Sequence, residues 1–438
     1  VNTHRVRTVI ALVVIAILAF AAVLAGAVYL DMASTVKNAG VKTIPQKNVE
    51  TTPFDPNSGK PINIVLMGQD TRDGDNSVIG GYEEGDHHAD TTMIVQISAD
   101  RSYVNLVSIP RDSIVNAPSC ETTKGTMAAQ YGVMFNSIFS SAYTFGGDIS
   151  SAASCTTAAL TELTGLDLSL FVVADFAGLQ KMITTIGGVD LCIPQDVSDA
   201  YTGLKLSKGM HHLDGTQATQ YARTRHAFGD GSDILRTVRQ QYLIKALISQ
   251  VLKKNFLTNS DQLYQLVHVG ISSLQMSEDI ADLNTLAGLA YSMRDFSTDN
   301  FYARTVPTES YPGDLNRVQW ASGATSLWAK MKKNQPIAEQ TSTSDTSSSS
   351  KSSKSDSSSK SDSSSSSKSS GSSSSSSSSK VDSKTGLITK SDGTLVDPKT
   401  GGTVDPETGV ITDPDTGYAM GYADQYLSAT VCAVTAQK

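Results

Sequence analysis

Ile62-Asn63-Ile64-Val65-Leu66-Met67 runs without a break into Gly68-Gln69-Asp70-Thr71-Arg72. An apolar run rich in β-branched residues and closed by glycine reads as a buried strand. Downstream, residues 93–98 and 103–109 have the same character and form a hairpin pair around Ala99-Asp100-Arg101. Residues 168–173 and 189–193 read as further strands. Helical periodicity is expected over 127–145, 151–163, 176–186, 216–222 and 233–253. Shorter helices follow near Leu263, Leu283 and Leu327. Strands interleaved with helices imply an α/β fold: a mixed central sheet covered by helices on both faces.

Outside this block, roughly 54–337, the composition changes. Residues 1–8 carry His4, Arg5 and Arg7, and no charge then occurs until Asp31. At about 1.5 Å per residue, 9–30 makes a helix of roughly 33 Å, enough to cross a bilayer core. The flanking charges place the rest of the chain outside the cell by the positive-inside rule. A cleaved signal is the rival, with Ala25-Gly26-Ala27 as its cleavage site, but the apolar run is long for one. Residues 31–53 read as a polar stalk. Of the 40 residues from Thr341 to Lys380, 28 are serine. Such a stretch buries too little apolar surface to offset its ordering entropy, so 338–380 reads as a disordered Ser-rich linker. In the tail, 381–438, Asp-Pro-x-Thr-Gly recurs at Asp397, Asp405 and Asp413, a turn-forming unit separated by short apolar pairs. Four cysteines in an exported chain permit disulfides, and Cys120 with Cys155 is the preferred pair. The formal net charge of −8 argues against a nucleic-acid binder.

The chemistry concentrates in three segments. The first is Arg223-Thr224-Arg225, followed by Ser232-Asp233 and then by Arg236, Arg239 and Gln240. Ser232 is a plausible N-cap, with Asp233 opening the helix where a carboxylate suits the dipole. Arg236 then lies in the first turn, where a cation is disfavoured unless an anion joins it. Arg236, Arg239 and Gln240 would share a helix face, and Arg223 and Arg225 would point one way if the chain there is extended. Guanidinium forks near a helix N-terminus suit phosphate oxygens; the bland reading is a solvated basic face paired with Asp230 and Asp233. The second segment is Asp70-Thr71-Arg72 with Ala89-Asp90-Thr91, carboxylates at strand ends that could hold a hard divalent cation. The third is Ile109-Pro110-Arg111-Asp112, a strand halted by proline with an arginine emerging at its end.

Together, in this order, the segments resemble the LytR–CpsA–Psr family. Gly187-Gly188-Val189, Leu213-Asp214-Gly215 and Arg236-Thr237-Val238-Arg239-Gln240-Gln241 add to the likeness, which covers about 62–250. The resemblance implies a single-pass membrane enzyme whose main domain, 54–337, is extracytoplasmic. It would move a glycopolymer from a polyprenyl-pyrophosphate carrier to peptidoglycan. It also implies that Asp70 and Asp90 hold Mg²⁺ or Mn²⁺, that Arg111, Arg223, Arg225, Arg236 and Gln240 grip the pyrophosphate, and that Asp233 orients neighbouring arginines. Asp70, Asp90, Arg72 and Arg111 would serve the chemistry itself. His88 stands where the family usually has arginine. Three rival functions share parts of this pattern: a polyprenyl-pyrophosphate carrier or pyrophosphatase without ligase activity, an envelope-linked transcriptional attenuator, and a zinc hydrolase built on His87-His88 or His211-His212.

Overall fold

The computed structural model describes residues 2–49, 54–70, 87–225, 227–228, 231–254, 259–338 and 381–433. Helix α1 (Asn2–Asn38) contains one stretch, Leu18–Asn38, long and apolar enough to cross a membrane. The central sheet consists of β1 (Gly40–Val41), β2 (Ile62–Asp70), β3 (His88–Ile97), β4 (Val104–Ile109), β5 (Leu170–Asp175), β6 (Leu274–Ser277) and β7 (Phe301–Thr305). Across the sheet the order is β1-β6-β5-β2-β3-β4-β7. Both parallel and antiparallel pairs occur, so the sheet is mixed as expected.

The two faces are covered unequally. On one, Val65, Met67, Ile94, Val107 and Phe171 are buried under α2 (Phe135–Gly146) and α3 (Ile149–Thr164). α4 (Phe176–Thr185), α5 (Gly215–Arg223) and α6 (Asp233–Lys253) come next in the chain. The other sheet face meets α6 and α7 (Leu283–Ser292). There Ile64, Leu66, Val95 and Val172, with Ile244 and Ile248 of α6, are only partly buried. Along β2 the period of two puts Ile64, Leu66, Gly68 and Asp70 on this incompletely covered side. An apolar lane therefore leads along the strand to a carboxylate.

Several expectations need correction. Residues 127–134 are not helical: Gly125–Met127 pairs with Cys120–Thr122, and Gln130–Met134 pairs with Ile114–Ala117. Gly132 has φ +63°, which breaks a right-handed helix, and α2 begins only at Phe135. Residues 189–193 form their strand outside the central sheet, paired with Gly209–Leu213. The segment read as a stalk is in part packed: Val36 is fully buried, Asp31 accepts from Tyr264 Oη at 2.7 Å, and β1 adds an edge strand to the sheet. The linker reading over 338–380 falls, but for its first residue, outside the described residues.

Cys120 is bonded to Cys155, the preferred pair, and Cys192 to Cys432. The second bond fastens the tail, which is a five-stranded antiparallel meander with an aspartate at each of the three Asp-Pro-x-Thr-Gly turns accepting from backbone amides two or three residues on. It packs behind α6, where Arg304 pairs with Asp413 at 3.3 Å and Lys245 with Asp424 at 2.8 Å.

Candidate functional site

The site begins with an irregularity in the β2–β3 ladder. Gly68 pairs with Thr91 and Gln69 with Ala89, leaving Asp90 as an extra residue on β3. In an unbroken ladder Asp90, one step from Thr91, would point into the closed core. The bulge instead turns it toward the open side, so that it faces the same cavities as Asp70. Gly68 is what permits this: a Cβ there would lie 2.9 Å from Cβ of Thr91.

Pro110 ends β4, and Arg111 emerges beside the bulge. Its Nη1 donates to Asp90 Oδ2 at 2.7 Å, and its backbone N–H donates to Asp233 Oδ2 at 3.2 Å. Ser232 caps α6 by accepting from Leu235 N, as its sequence position suggests. Arg236, in the first turn, donates through Nη2 to Asp233 Oδ1 at 2.5 Å and to the Asp90 carbonyl at 3.0 Å. The mismatch of this cation with the helix dipole is thereby offset by its own first-turn carboxylate.

Arg223 and Arg225 come from a separate part of the chain. They are not on one extended strand: Arg223 is the last residue of α5, Thr224 is its C-cap, and Arg225 follows. Both still line one cavity of about 370 Å³ with Asp70, Asp90, Arg111 and Arg236. The Arg223 guanidinium lies 4.4 Å from the centroid of the Phe176 ring, which holds it flat against the wall. Gln240 also lines this cavity, but its Nε2 donates to the Ala222 carbonyl at 3.1 Å and so fixes the end of α5.

Burial pushes the Asp90 carboxyl up, but the guanidiniums of Arg111 and Arg236 outweigh this and hold it below the usual carboxylate range. Burial lowers the Arg225 guanidinium, and the positive charges of Arg111 and Arg236 lower it further. Cations that repel one another in a half-buried cavity call for an anion with oxygens on several sides. Asp70 and Asp90, at the sheet end, suit a hard cation completed by phosphate oxygens and water, although Asp90 already serves Arg111. Among the described residues no group of three or more His, Cys, Asp or Glu side chains forms a complete cage.

The model of the LytR_cpsA_psr family matches residues 27–343, most of the chain. The chain belongs to this family.

Relatives within and around the LytR–CpsA–Psr family include the cell wall biosynthesis protein LcpA of Corynebacterium glutamicum, 26% identical over 267 residues, covering 57% of this chain and 50% of that protein. Another is the polyisoprenyl-teichoic acid–peptidoglycan teichoic acid transferase TagU of Enterococcus faecalis, 26% identical over 211 residues, covering 48% of this chain and 60% of that protein. The chain thus spans half to about three fifths of these relatives' length. Among solved structures, the LytR-Csp2A-Psr enzyme from Actinomyces oris matches with a TM-score of 0.46 and 23% identity over 66% of this chain and 94% of that one.

Of the residues that the LytR–CpsA–Psr likeness singles out, Asp70, Asp90, Arg111, Arg223, Arg225, Arg236 and Gln240 line the cavity, and Asp233 stands behind it, bonded to Arg111 and Arg236. Arg72 lies outside the described residues. Arg239 does not share the face of Arg236: it is 1% exposed, sits 4.3 Å from the Phe228 ring centroid and donates to the Thr224 carbonyl. Phe176 lines the same cavity, Asn136 and Arg317 line one beside it, and the sequence singles out none of the three. Each is a single side chain from a distant element, and nothing in its own neighbourhood marks it.

Proposed function

We propose that the domain over 54–337 transfers a glycosyl phosphate from a polyprenyl-pyrophosphate carrier to a sugar hydroxyl of peptidoglycan. The observation that carries this reading is the convergence of Arg111, Arg223, Arg225 and Arg236 on one cavity, at the end of the apolar, partly covered lane of Ile64 and Leu66. A diphosphate joined to a long hydrocarbon needs both features side by side. The name of the Enterococcus relative, a teichoic acid transferase, supports the same reaction class.

In this reading Arg223 and Arg225 hold the phosphate next to the lipid, while Arg111 and Arg236 face the phosphate that bears the glycan. Their charges stabilise the negative charge that grows on the phosphoryl oxygens during displacement. Asp233 keeps Arg111 and Arg236 aimed, and Gln240 fixes the segment that carries Arg223 and Arg225. Asp70 and Asp90 would hold Mg²⁺ or Mn²⁺, which when bound supplies further positive charge at the phosphate oxygens. The acceptor oxygen bonds to the glycan-bearing phosphorus, and the bond from that phosphorus to the bridging oxygen breaks. The electron pair leaves with that oxygen, and the hydroxyl proton is carried away on the released polyprenyl phosphate.

We also infer a single-pass anchor through α1 with the domain outside the cell; protection of the domain from protease added to intact spheroplasts would overturn it. The reaction is tested by incubating the full chain with a lipid-pyrophosphate oligosaccharide, Mg²⁺ and peptidoglycan. Polyprenyl phosphate should appear together with glycan bound to the wall through a phosphodiester. Release without wall-bound glycan would make the protein a pyrophosphatase, and binding without release would make it a carrier.

A further inference from the structure

A second cavity, also about 370 Å³, lies on the far side of Arg111 and Asp90. It shares Asp70, Asp90 and Arg111 with the anion cavity and adds His88, Met134, Asp112, Asn136 and Arg317. We propose that it is the acceptor subsite, taking a neutral sugar whose hydroxyl attacks, and that Asn136 and the Arg317–Asp112 pair position that sugar. This rests on the transfer reading above and extends it to a binding site for the second substrate.

Three observations favour a polyhydroxyl ligand there over a second anion. First, the arginine this cavity adds is compensated: Arg317 Nη1 pairs with Asp112 Oδ1 at 2.8 Å. Arg225 next door is lowered by its burial and by the charges of Arg111 and Arg236, which outweigh Asp233 and Asp112, and among the described residues no carboxylate forms a salt bridge with it. Second, Asn136 is 8% exposed, and its Nδ2 donates to Asp90 Oδ1 at 3.4 Å, while its buried Oδ1 has no partner. A buried amide oxygen left so is costly unless a ligand hydroxyl supplies the bond. Third, carboxylate, amide and guanidinium together offer donors and acceptors on several sides, as sugar hydroxyls require.

The pieces are held by backbone. Asn136 N donates to the Arg111 carbonyl at 3.2 Å, and Val318 N donates to the Asp112 carbonyl at 3.3 Å. The hairpin of Thr308–Tyr311 and Asp314–Trp320, which bears Arg317, is thus tied to the same turn that projects Arg111. The position also satisfies the stereochemistry of displacement. With the diphosphate spanning Arg223, Arg225 and Arg236, the leaving oxygen points into the anion cavity, so the attacking oxygen must approach past Arg111 and Asp90 from the other side.

The test compares the full-length wild type with Arg317→Ala and Asn136→Ala, using a soluble peptidoglycan fragment as acceptor and a lipid-pyrophosphate oligosaccharide as donor. A third variant, Arg317→Lys, keeps the charge and loses the fork. Arg317→Ala and Asn136→Ala should raise the acceptor KM about tenfold or more, the worth of one or two lost hydrogen bonds. The donor Kd should stay within about twofold and Arg317→Lys should fall between. Arg317 lies on a partly exposed hairpin, so its variant stays informative if Asn136→Ala fails to fold. An acceptor KM unchanged in Arg317→Ala overturns the assignment, and so does a donor affinity that falls in step. A wild type that hands its phosphate only to water would instead overturn the transfer reading, and this subsite with it.

Discussion

Arg239, buried beneath the Phe228 ring, donates to the backbone carbonyl of Thr224, the residue between Arg223 and Arg225. A guanidinium that never reaches the cavity thus sets the path of the segment that does. Its Nη2 and the Gln240 side chain together hold the carbonyls of Thr224 and Ala222. Arg239→Ala removes a packed side chain and strands a buried carbonyl, which should cost about 3 kcal/mol of stability. It should also weaken pyrophosphate binding several-fold without removing a ligand. Thermal denaturation and titration calorimetry with a polyprenyl pyrophosphate check both; normal affinity in a folded Arg239→Ala protein would deny it a positioning role.

The cavity arginines separate by what else they do. Arg223 stacks on Phe176, and Arg225 is lowered by burial and by the neighbouring charges of Arg111 and Arg236. Arg223→Ala and Arg225→Ala should each lower pyrophosphate affinity by tenfold or more, and Arg225→Ala should change stability by less than about 1 kcal/mol. Arg225→Ala also relieves repulsion from Arg111 and Arg236. Arg236→Ala should lose affinity and stability together, because it leaves Asp233 without its partner at 2.5 Å. Calorimetry paired with urea denaturation distinguishes these patterns.

Much of the frame was legible where local signals agreed. Residues 233–253 have the helix bounds expected, because Ser232 caps, Asp233 suits the dipole and the apolar period continues to Lys253. β2 was legible as an apolar run, but it does not end at the glycine: it continues through Gly68 to Asp70. The site residues were legible as residue types but not as geometry. Asp90 faces the cavity through a bulge, and a bulge leaves no mark on sequence periodicity except the glycine opposite. Arg239 and Arg236 are three residues apart, near enough to share a face by spacing alone, and the ring of Phe228 and the Thr224 carbonyl draw Arg239 away. Residues 127–134 resist helix because Gly132 takes a left-handed conformation and partners at 114–117 and 120–122 are close in the chain. Such choices are made by tertiary partners, which periodicity does not see.

Asp90 connects the site to acid stability. Its folded-state carboxyl titrates below its unfolded value because Arg111 and Arg236 outweigh its burial. A depressed carboxyl contributes stability that is fully present above the unfolded value of about 4 and is lost as pH falls through the folded one. The wild type should therefore lose stability between about pH 4 and the acid limit more steeply than Asp90→Asn does. At neutral pH the order reverses, since the variant leaves two guanidiniums short of a partner, at a cost of roughly 3 kcal/mol. Urea denaturation across that pH range measures both. Parallel pH profiles for the two proteins would mean the ion pair with Arg111 adds nothing to the fold.

The tail offers the sharpest test of how the site helix is supported. Cys192–Cys432 closes a loop of 240 residues, whereas Cys120–Cys155 closes one of 35. On the chain-entropy view the longer loop stabilises more, about 5 kcal/mol against about 4 kcal/mol. Its removal also frees the meander to lift from the back of α6, where Tyr422 meets Tyr242 with ring centroids 5.6 Å apart. Arg304–Asp413 and Lys245–Asp424 remain to hold it, so the double variant Cys192→Ser/Cys432→Ser should still fold, with a lower melting temperature. Hydrogen exchange should then quicken in the tail strands and in the middle of α6, and pyrophosphate affinity should fall modestly as Arg236 and Gln240 gain freedom. Cys120→Ser/Cys155→Ser should quicken exchange around the hairpins at 114–134 and leave α6 protected. Equal protection of α6 in both double variants would show that the tail lies against the helix without supporting it.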